Sequence, residues 1–367
     1  MVPEVKSSIK NLYKTSYAKE AIHTVNTAGF MDCSNGINPF GISKMAESSL
    51  NKINIKDLNS YPKPADGLKH AICDYWHTVA EIDKTQIILG NGSIELIYKI
   101  NKLFLDCSSK VLGYSPQFSD FVDDVKSNGG FYESYYLDKA NNFKFNPEKY
   151  ISRMNTGHSM FFIDNPNNPT GQVINADSIE KIIYHANQLN RPIIIDEAYG
   201  DFMSRENSAV SLINKYKNLI VIRTLSKGLG LAGLRAGYLV TSEEIADQYH
   251  KISNPYEMNS IARLVAEAAL KDDKFMSDCC SLVSLYKKKL IDSLQNLVVL
   301  ETDVSVPIMT LMHPQNNVDF EELLLRHKVI SVSGRGFEGL GNNFVRLMVN
   351  ADIERMIEVF RKVEKDI

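Results

Sequence analysis

The sequence predicts an α/β protein. Its large domain carries a mostly parallel seven-stranded sheet between helices, and a smaller α+β domain is built from the C-terminal third and the N-terminal segment. Three observations predict this. From about residue 85 to 240, short apolar runs alternate with helix-length amphipathic segments, the pattern of parallel strands joined by crossover helices. After that point long helical segments and strands follow in a different order, which reads as an α+β unit. A chain of 367 residues that is 44% hydrophobic and 23% charged is long enough for both parts and has an ordinary globular composition.

The runs 86-QIIL-89, 110-KVLGY-114, 131-FYESYY-136, 159-SMFFID-164, 192-PIIIDE-197, 218-NLIVIR-223 and 236-AGYLV-240 are the strands expected in the sheet. Residues 258 to 297 read as one or two long helices. The stretch 351-ADIERMIEVFRKVEK-365 places Ile353, Met356, Ile357, Phe360 and Val363 on one helical face. Between them 306-VPIMTLM-312, 329-VISVS-333 and 344-FVRLMV-349 are strand-like. The expected organisation is an N-terminal segment, 1–44, that covers the site, a large domain, 45–255, and a small domain, 256–367. No repeat, low-complexity linker or charge block separates them, so the parts should pack closely.

A formal charge of -3, from 41 basic and 44 acidic side chains, gives no electrostatic reason to expect nucleic acid or an anionic membrane as partner. The first residues, MVPEVKSSIKNLYKTSYAKE, lack the apolar core of a signal peptide, and no window approaches the roughly 18 to 20 apolar residues of a membrane span. A cytoplasmic protein is expected. Cys33, Cys73, Cys107, Cys279 and Cys280 have neither C-x-x-C spacing nor a histidine cluster nearby. They are expected to be buried thiols, with no metal site.

The stretch 223-RTLSKGLGLAGLRAGYLV-240 contains G-x-G-x-x-G at Gly228, Gly230 and Gly233. A dinucleotide-binding turn of that pattern needs a helix after its glycines to meet the pyrophosphate, and here the strand-like 236-AGYLV-240 follows instead. Lys227 stands directly before the glycines, with Thr224 and Ser226 on its N-terminal side and Arg235 beyond. Those hydroxyls and that guanidinium can converge on a phosphate while the amine forms a Schiff base. In 192-PIIIDEAYGDF-202 a strand delivers Asp196 and Tyr199 at its carboxyl end, where ligands gather in open α/β sheets. An ionised aspartate there suits a protonated pyridine nitrogen. In 164-DNPNNPTGQ-172, Asn168 can donate to a phenolate oxygen from a turn held by Pro169 and Gly171. In 89-LGNGSIELIYKINKLF-104 a glycine turn runs into a helix whose first amides, at Gly92, Ser93 and Ile94, can point at an anion. Each stretch alone has a plainer reading: a solvated lysine, a capping aspartate, a turn, a helix start.

As a set, N-P-x-N-P-T-G, D-E-A-Y and S-K-G-x-x-x-x-G-L-R resemble fold-type I pyridoxal-phosphate enzymes, the aminotransferase class I and II superfamily, from about residue 30 to the end. The resemblance implies pyridoxal 5'-phosphate as cofactor. It makes Lys227 the lysine that carries the cofactor and moves the proton at the substrate Cα. Asp196 pairs with the pyridine nitrogen, and Asn168 and Tyr199 bond the phenolate oxygen. Ser93, Thr224, Ser226 and Arg235 bind the phosphate with the amides at Gly92 and Ile94. Phe118, in 114-YSPQFSDF-121, stacks on the ring, and Arg346, in 343-NFVRLMV-349, clamps the substrate α-carboxylate. The turn 38-NPFG-41, with Asn38, resembles the segment that closes over the substrate, and Tyr61, in 60-SYPKP-64, resembles a tyrosine that reaches the phosphate in the neighbouring subunit of a homodimer.

The branch most resembled, on N-P-F-G, Y-P-x-P and 90-GNGSIELIY-98, is that of histidinol-phosphate aminotransferase and threonine-phosphate decarboxylase. Two departures bear on the substrate. That branch has a second, phosphate-binding arginine in the strand that here reads 329-VISVS-333, and the next arginine in this chain is Arg335. The His-Gly-Gly that opens the decarboxylase is missing from 20-EAIHTVNTAGF-30, where His23 is nearby. The expectation is an aminotransferase moving an amino group between an L-amino acid, or a histidinol-phosphate-like amine, and a 2-oxo acid, with an unphosphorylated amino acid preferred on these two departures and a decarboxylase resembling threonine-phosphate decarboxylase as the alternative.

Overall fold

The alternating apolar and amphipathic segments fold, in a computed structural model that describes residues 3–10, 12–14 and 29–367, into a sheet enclosed by helices. The chain begins with α1 (Ser7–Lys10), β1 (Met31–Asp32), α2 (Lys44–Ser49) and α3 (Asp66–Trp76). The large sheet follows: β2 (Ile87–Gly90), β3 (Lys110–Ser115), β4 (Phe131–Tyr136), β5 (Met160–Asp164), β6 (Ile193–Asp196), β7 (Leu219–Thr224) and β8 (Gly237–Thr241). Its connections carry α4 (Ser93–Phe104), α5 (Ser119–Ser127), α6 (Pro147–Ile151) and α7 (Ala176–Gln188). Then come α8 (Glu243–His250), α9 (Ser260–Leu270) and α10 (Asp273–Ser293). The remainder is β9 (Val298–Val299), β10 (Ile308–Met312), α11 (Phe320–Arg326), β11 (Val329–Ile330), β12 (Val332–Ser333), β13 (Phe344–Met348) and α12 (Ile353–Val363).

The sheet order is β2-β8-β7-β6-β5-β3-β4, and β8 alone runs against its neighbours. The central strands read as unbroken apolar runs because both their faces are covered. Phe161, Ile163, Ile193 and Ile195 enter one core, while Met160, Phe162 and Ile194 enter the other. Each such side chain contributes roughly 1.5–3 kcal/mol on burial. Most helices start on a side-chain cap, such as Asn175 for α7, Ser242 for α8 and Asn259 for α9. Helix α4 does not. Its N-cap is Gly92, at φ +79° and with no side-chain cap.

The C-terminal part has its own antiparallel sheet, β12-β13-β10-β9, and β1 pairs in parallel with β11. The single strand expected over 329–333 is therefore two: the chain changes sheets at Ser331, so β11 serves β1 and β12 serves β13. The expected face of α12, from Ile353 to Val363, is buried in this second core with Met31 and Cys33. The helical stretch expected over 258–297 breaks after Leu270. Helix α9 packs on α2 and α3, whereas α10 buries Met276, Cys279 and Val283 in the larger core and Leu290 in the smaller one. The two parts thus share a helix.

Of the N-terminal segment, residues 15–28, including His23, lie outside the described residues. No helix among the described residues is long and apolar enough to cross a membrane. All five cysteines are free thiols, but only Cys33 and Cys279 are buried; Cys107 is exposed because it falls in the turn between α4 and β3.

Lys287 is a buried cation in the middle of α10. Its Nζ donates to Thr302 Oγ1 (2.6 Å) and to the carbonyls of Asp303 (2.7 Å), Val306 (2.9 Å) and Ile308 (2.8 Å). Burial lowers its pKa to about 7. The segment it holds meets the Asn-Pro turn: Asp303 N donates to Gly171 O (3.0 Å), and Thr310 Oγ1 to Pro169 O (3.0 Å). Gly171, at φ +74°, is necessary there because a side chain would strike the Ile308 carbonyl. Replacing Lys287 by Met removes the donor these oxygens share, and among the described residues only the Asp303 carbonyl keeps another, the Val306 amide (3.2 Å). Lys287→Met is therefore expected to lower the unfolding free energy by about 3 kcal/mol or more. The measurement is the denaturant midpoint, with the slope unchanged.

Candidate active site

The carboxyl ends of β5, β6 and β7 open into a cavity of about 270 Å³. Ser93, Ile94, Phe118, Asn168, Asp196, Tyr199, Thr224, Ser226, Lys227 and Arg235 line it, so residues far apart in sequence share one hollow. Asn35, Ile37, Asp164, Pro166, Ala198 and Ala232 also line it, and these were not singled out from sequence.

One end is an anion cup. The first turn of α4 lies uncapped behind Gly92, where a side chain would come within 2.5 Å of Arg235 Nη2. Thr224 Oγ1 donates to Ser226 Oγ (3.0 Å), and Arg235 sits in the left-handed region at φ +53°, with Nη1 donating to Ala232 O (3.0 Å). Amides, hydroxyls and a guanidinium collect at a helix N-terminus, a natural seat for a phosphate. No crossover helix follows the glycines of the lysine loop, because the chain turns back at once into β8.

Asp196 and Asp164 form the floor. They end adjacent parallel strands in register, and both are buried. Asp164 Oδ1 accepts from Gln117 Nε2 (3.2 Å) and Asn167 Nδ2 (3.0 Å), and Oδ2 from the Asn168 amide (3.0 Å), so this carboxylate shapes the Asn-Pro turn. Asp196 Oδ1 accepts from the Ala198 amide (3.0 Å). Burial, then the Asp164 charge, push its pKa up to about 7.

Lys227 Nζ donates to Asn35 O (3.3 Å) and lies 5.5 Å from the centre of the Tyr199 ring. Burial, then Arg346 and Arg235, lower its pKa to about 7, against the pull of Asp196. Its loop is braced from below by Arg223. That buried guanidinium pairs with Glu197 (3.0 Å) and with Asp201, and lies over the Trp76 ring at 5.1 Å. Glu197 also accepts from Ser208 Oγ (2.6 Å) and Ala209 N (2.7 Å). Gly228 passes against Asp201 so closely that a side chain would collide.

Arg346, buried on β13, donates through Nη1 to Asn168 Oδ1 (3.1 Å) and through Nη2 to the Ser34 carbonyl. Asn38 is buried differently from a group that touches a ligand directly. Its Nδ2 donates to Gly228 O (2.6 Å), and its Oδ1 accepts from Phe40 N (2.8 Å), so it pins the N-terminal segment to the lysine loop. Gly36 in that segment, at φ +59°, meets the Tyr199 hydroxyl where any side chain would collide. Tyr61 is outside the cavity and 75% exposed.

The family model for aminotransferase class I and II matches residues 29–362. The chain belongs to that family. It is a pyridoxal-phosphate-dependent aminotransferase. A histidinol-phosphate aminotransferase of Clostridium novyi is 34% identical over 331 residues, 89% of this chain and 88% of that one. The crystal structure of the histidinol-phosphate aminotransferase from Clostridium acetobutylicum aligns with a TM-score of 0.83 at 26% identity, over 92% of this chain and all of that one. A histidinol-phosphate aminotransferase from Sinorhizobium meliloti, solved in complex with pyridoxal-5'-phosphate, shares the fold at a TM-score of 0.76 and 22% identity, over 91% of each chain.

The cavity of this aminotransferase fits its cofactor. The cup behind Gly92 suits a phosphate, the buried Asp196 suits a cationic ring nitrogen, and the amine of Lys227, its pKa depressed, lines the same cavity. Burial and two guanidinium groups disfavour the Lys227 ammonium, so the neutral amine should be present from about pH 7 rather than only above the usual 10.5. Competitive acetylation of the cofactor-free protein, read by peptide mapping, is expected to give Lys227 a half-maximal reactivity near pH 7. An ordinary profile for Lys227 would contradict this electrostatic account.

Proposed function

We propose that the aminotransferase moves an amino group between an L-amino acid and a 2-oxo acid, gripping the carboxylate of each with Arg346. This reading rests on the buried Arg346 guanidinium, which touches Asn168 and, after burial, is the largest influence lowering the Lys227 pKa. A carboxylate accepting paired N–H bonds from Arg346 would keep the substrate amine and Cα beside Lys227.

Bound pyridoxal phosphate supplies an electron-withdrawing ring that stabilises negative charge at the substrate Cα and stores the amino group between half-reactions. Lys227 holds the cofactor and moves the proton at that Cα. Burial and the neighbouring guanidinium groups disfavour the Lys227 ammonium, which suits an amine that must accept a proton close to neutral pH. Asp196 keeps the ring nitrogen protonated, while Asn168 and Tyr199 bond the phenolate oxygen and Phe118 covers the ring. Ser93, Thr224, Ser226 and Arg235 hold the phosphate with the amides at Gly92 and Ile94. Asn38 acts by anchoring the segment that closes over the site, here residues 29–44.

Histidinol phosphate as the amine donor is a second reading, favoured by the names of the relatives. Against it, the residue paired with Arg346 on β12 is Val332, and Arg335 is exposed and engaged with Asp319 at 2.6 Å. Amino acids, histidinol phosphate and phosphothreonine, each offered with 2-oxoglutarate, separate the readings. Glutamate formed from unphosphorylated amino acids without carbon dioxide is expected, and a marked preference for histidinol phosphate would transfer the assignment to the second reading. Arg346→Lys should cost about 2–4 kcal/mol in kcat/KM for each amino acid accepted, because a bidentate, desolvated ion pair is lost.

The working unit is proposed to be a cytoplasmic homodimer, in which exposed Tyr61 completes the partner's phosphate cup. The protein should sediment as a dimer. Hybrids of Tyr61→Phe and Lys227→Ala chains should contain one type of site with both lesions and one with neither, so about half the sites of each hybrid stay fully active. Activity in an isolated monomer would refute the arrangement.

A further inference from the structure

Tyr61 is exposed, yet it is held. Its ring stacks on that of Tyr256, with centroids 4.3 Å apart and planes 13° from parallel. Tyr256 is itself 56% exposed, so the pair is not part of a core. An exposed aromatic side chain loses conformational freedom when a binding event immobilises it. A stacked partner removes much of that loss beforehand.

The turn that carries Tyr256 needs support. Tyr256 and Met258 both occupy the left-handed region, at φ +59° and +58°, where side chains other than glycine are disfavoured. Glu257, between them, accepts from Lys99 Nζ (2.8 Å) and from the Asn254 amide (3.2 Å). Lys99 also pairs with Glu95 (3.1 Å), and Asn254 Nδ2 donates to Glu95 (2.8 Å). Glu95 and Lys99 belong to α4, the helix whose first turn forms the anion cup. Arg263 completes the brace by donating to the Glu257 carbonyl and to the Lys63 carbonyl, two residues beyond Tyr61.

We propose that Tyr256 is a positioning residue for cofactor binding in the neighbouring subunit: it holds Tyr61 in a bracket anchored on the phosphate-cup helix of its own subunit. The inference rests on the homodimer reading of Tyr61. The cup that a protomer keeps and the tyrosine that it lends are then parts of one rigid unit.

The test measures the affinity of cofactor-free dimers for pyridoxal phosphate by equilibrium dialysis, with sedimentation to follow assembly. Tyr61→Phe should weaken binding about tenfold or more, the loss of one charge-assisted hydrogen bond; if it does not, the reading of Tyr61 fails and takes the inference with it. Given that loss, Tyr256→Ala should weaken binding about three- to tenfold, and Tyr256→Phe, which keeps the ring, less than about twofold. Tyr256→Asn removes the ring while tolerating the left-handed backbone, and should match Tyr256→Ala. The variant carrying both Tyr61→Phe and Tyr256→Ala should bind no more weakly than Tyr61→Phe alone, because Tyr256 acts only through the Tyr61 hydroxyl. Losses that add in the double variant, or undiminished affinity with Tyr256→Asn, overturn the proposal.

Discussion

The Arg223 guanidinium is the fixed point from which the groups lining the cavity are set. It projects from β7 immediately before Thr224 and binds Glu197, the neighbour of Asp196 on β6, together with Asp201, against which the lysine loop turns at Gly228. The spacing between Asp196, the hydroxyls of Thr224 and Ser226, and Lys227 therefore depends on one buried ion cluster. Removing one partner of such a cluster typically costs about 3–5 kcal/mol, chiefly from the charges left unpaired. The Glu197 side is satisfied: Ser208 and Ala209 donate to Glu197, and Trp76 lies under the guanidinium while donating to Tyr238 (3.0 Å), whereas Asp201 Oδ2 is buried without a hydrogen bond among the described residues. Such a cluster resists distortion.

Above that floor, burial acts on two opposite charges with the same result. It raises Asp196 and lowers Lys227, each to about 7, and neighbours of like sign, Asp164 for one and Arg346 and Arg235 for the other, add to the effect. Both groups are thus biased toward their neutral forms. An anion seated against Arg235 and a cation seated against Asp196 would relieve both biases at once, because each supplies the missing opposite charge. The cavity and such a ligand are electrostatic complements.

The large sheet was legible because strands covered on both faces read as apolar runs, and all seven expected runs form strands within a residue or two of their expected limits. The two-residue strands β1 and β9 and the change of sheets at Ser331 were not, since pairs that short leave no periodicity. Among site residues, those in local motifs line the cavity as a set. Asp164 and Arg223 stood in quoted motifs without drawing notice, because their partners, Gln117 and Asn167 for one, Glu197 and Asp201 for the other, come together only through strand register and turns. Lys287 lies in 286-YKKKL-290, which resembles a solvated face, and only the fold shows that its amine turns inward. Asn38 illustrates the reverse case: a motif residue next to the site whose side chain is spent on the Gly228 backbone.

Helix α10 is shared by both cores, and this has a mechanical side. Its 21 residues make a rod of about 31 Å, rooted in the larger body near Met276 and in the smaller near Leu290. Rotating such a rod by about 5° about Met276 would carry Leu290, about 21 Å away, nearly 2 Å. Because the helix is unbroken between the two cores, an angular change at one end would be amplified at the other, where Leu290 packs in the same core as Val345 and Leu347, the neighbours of Arg346.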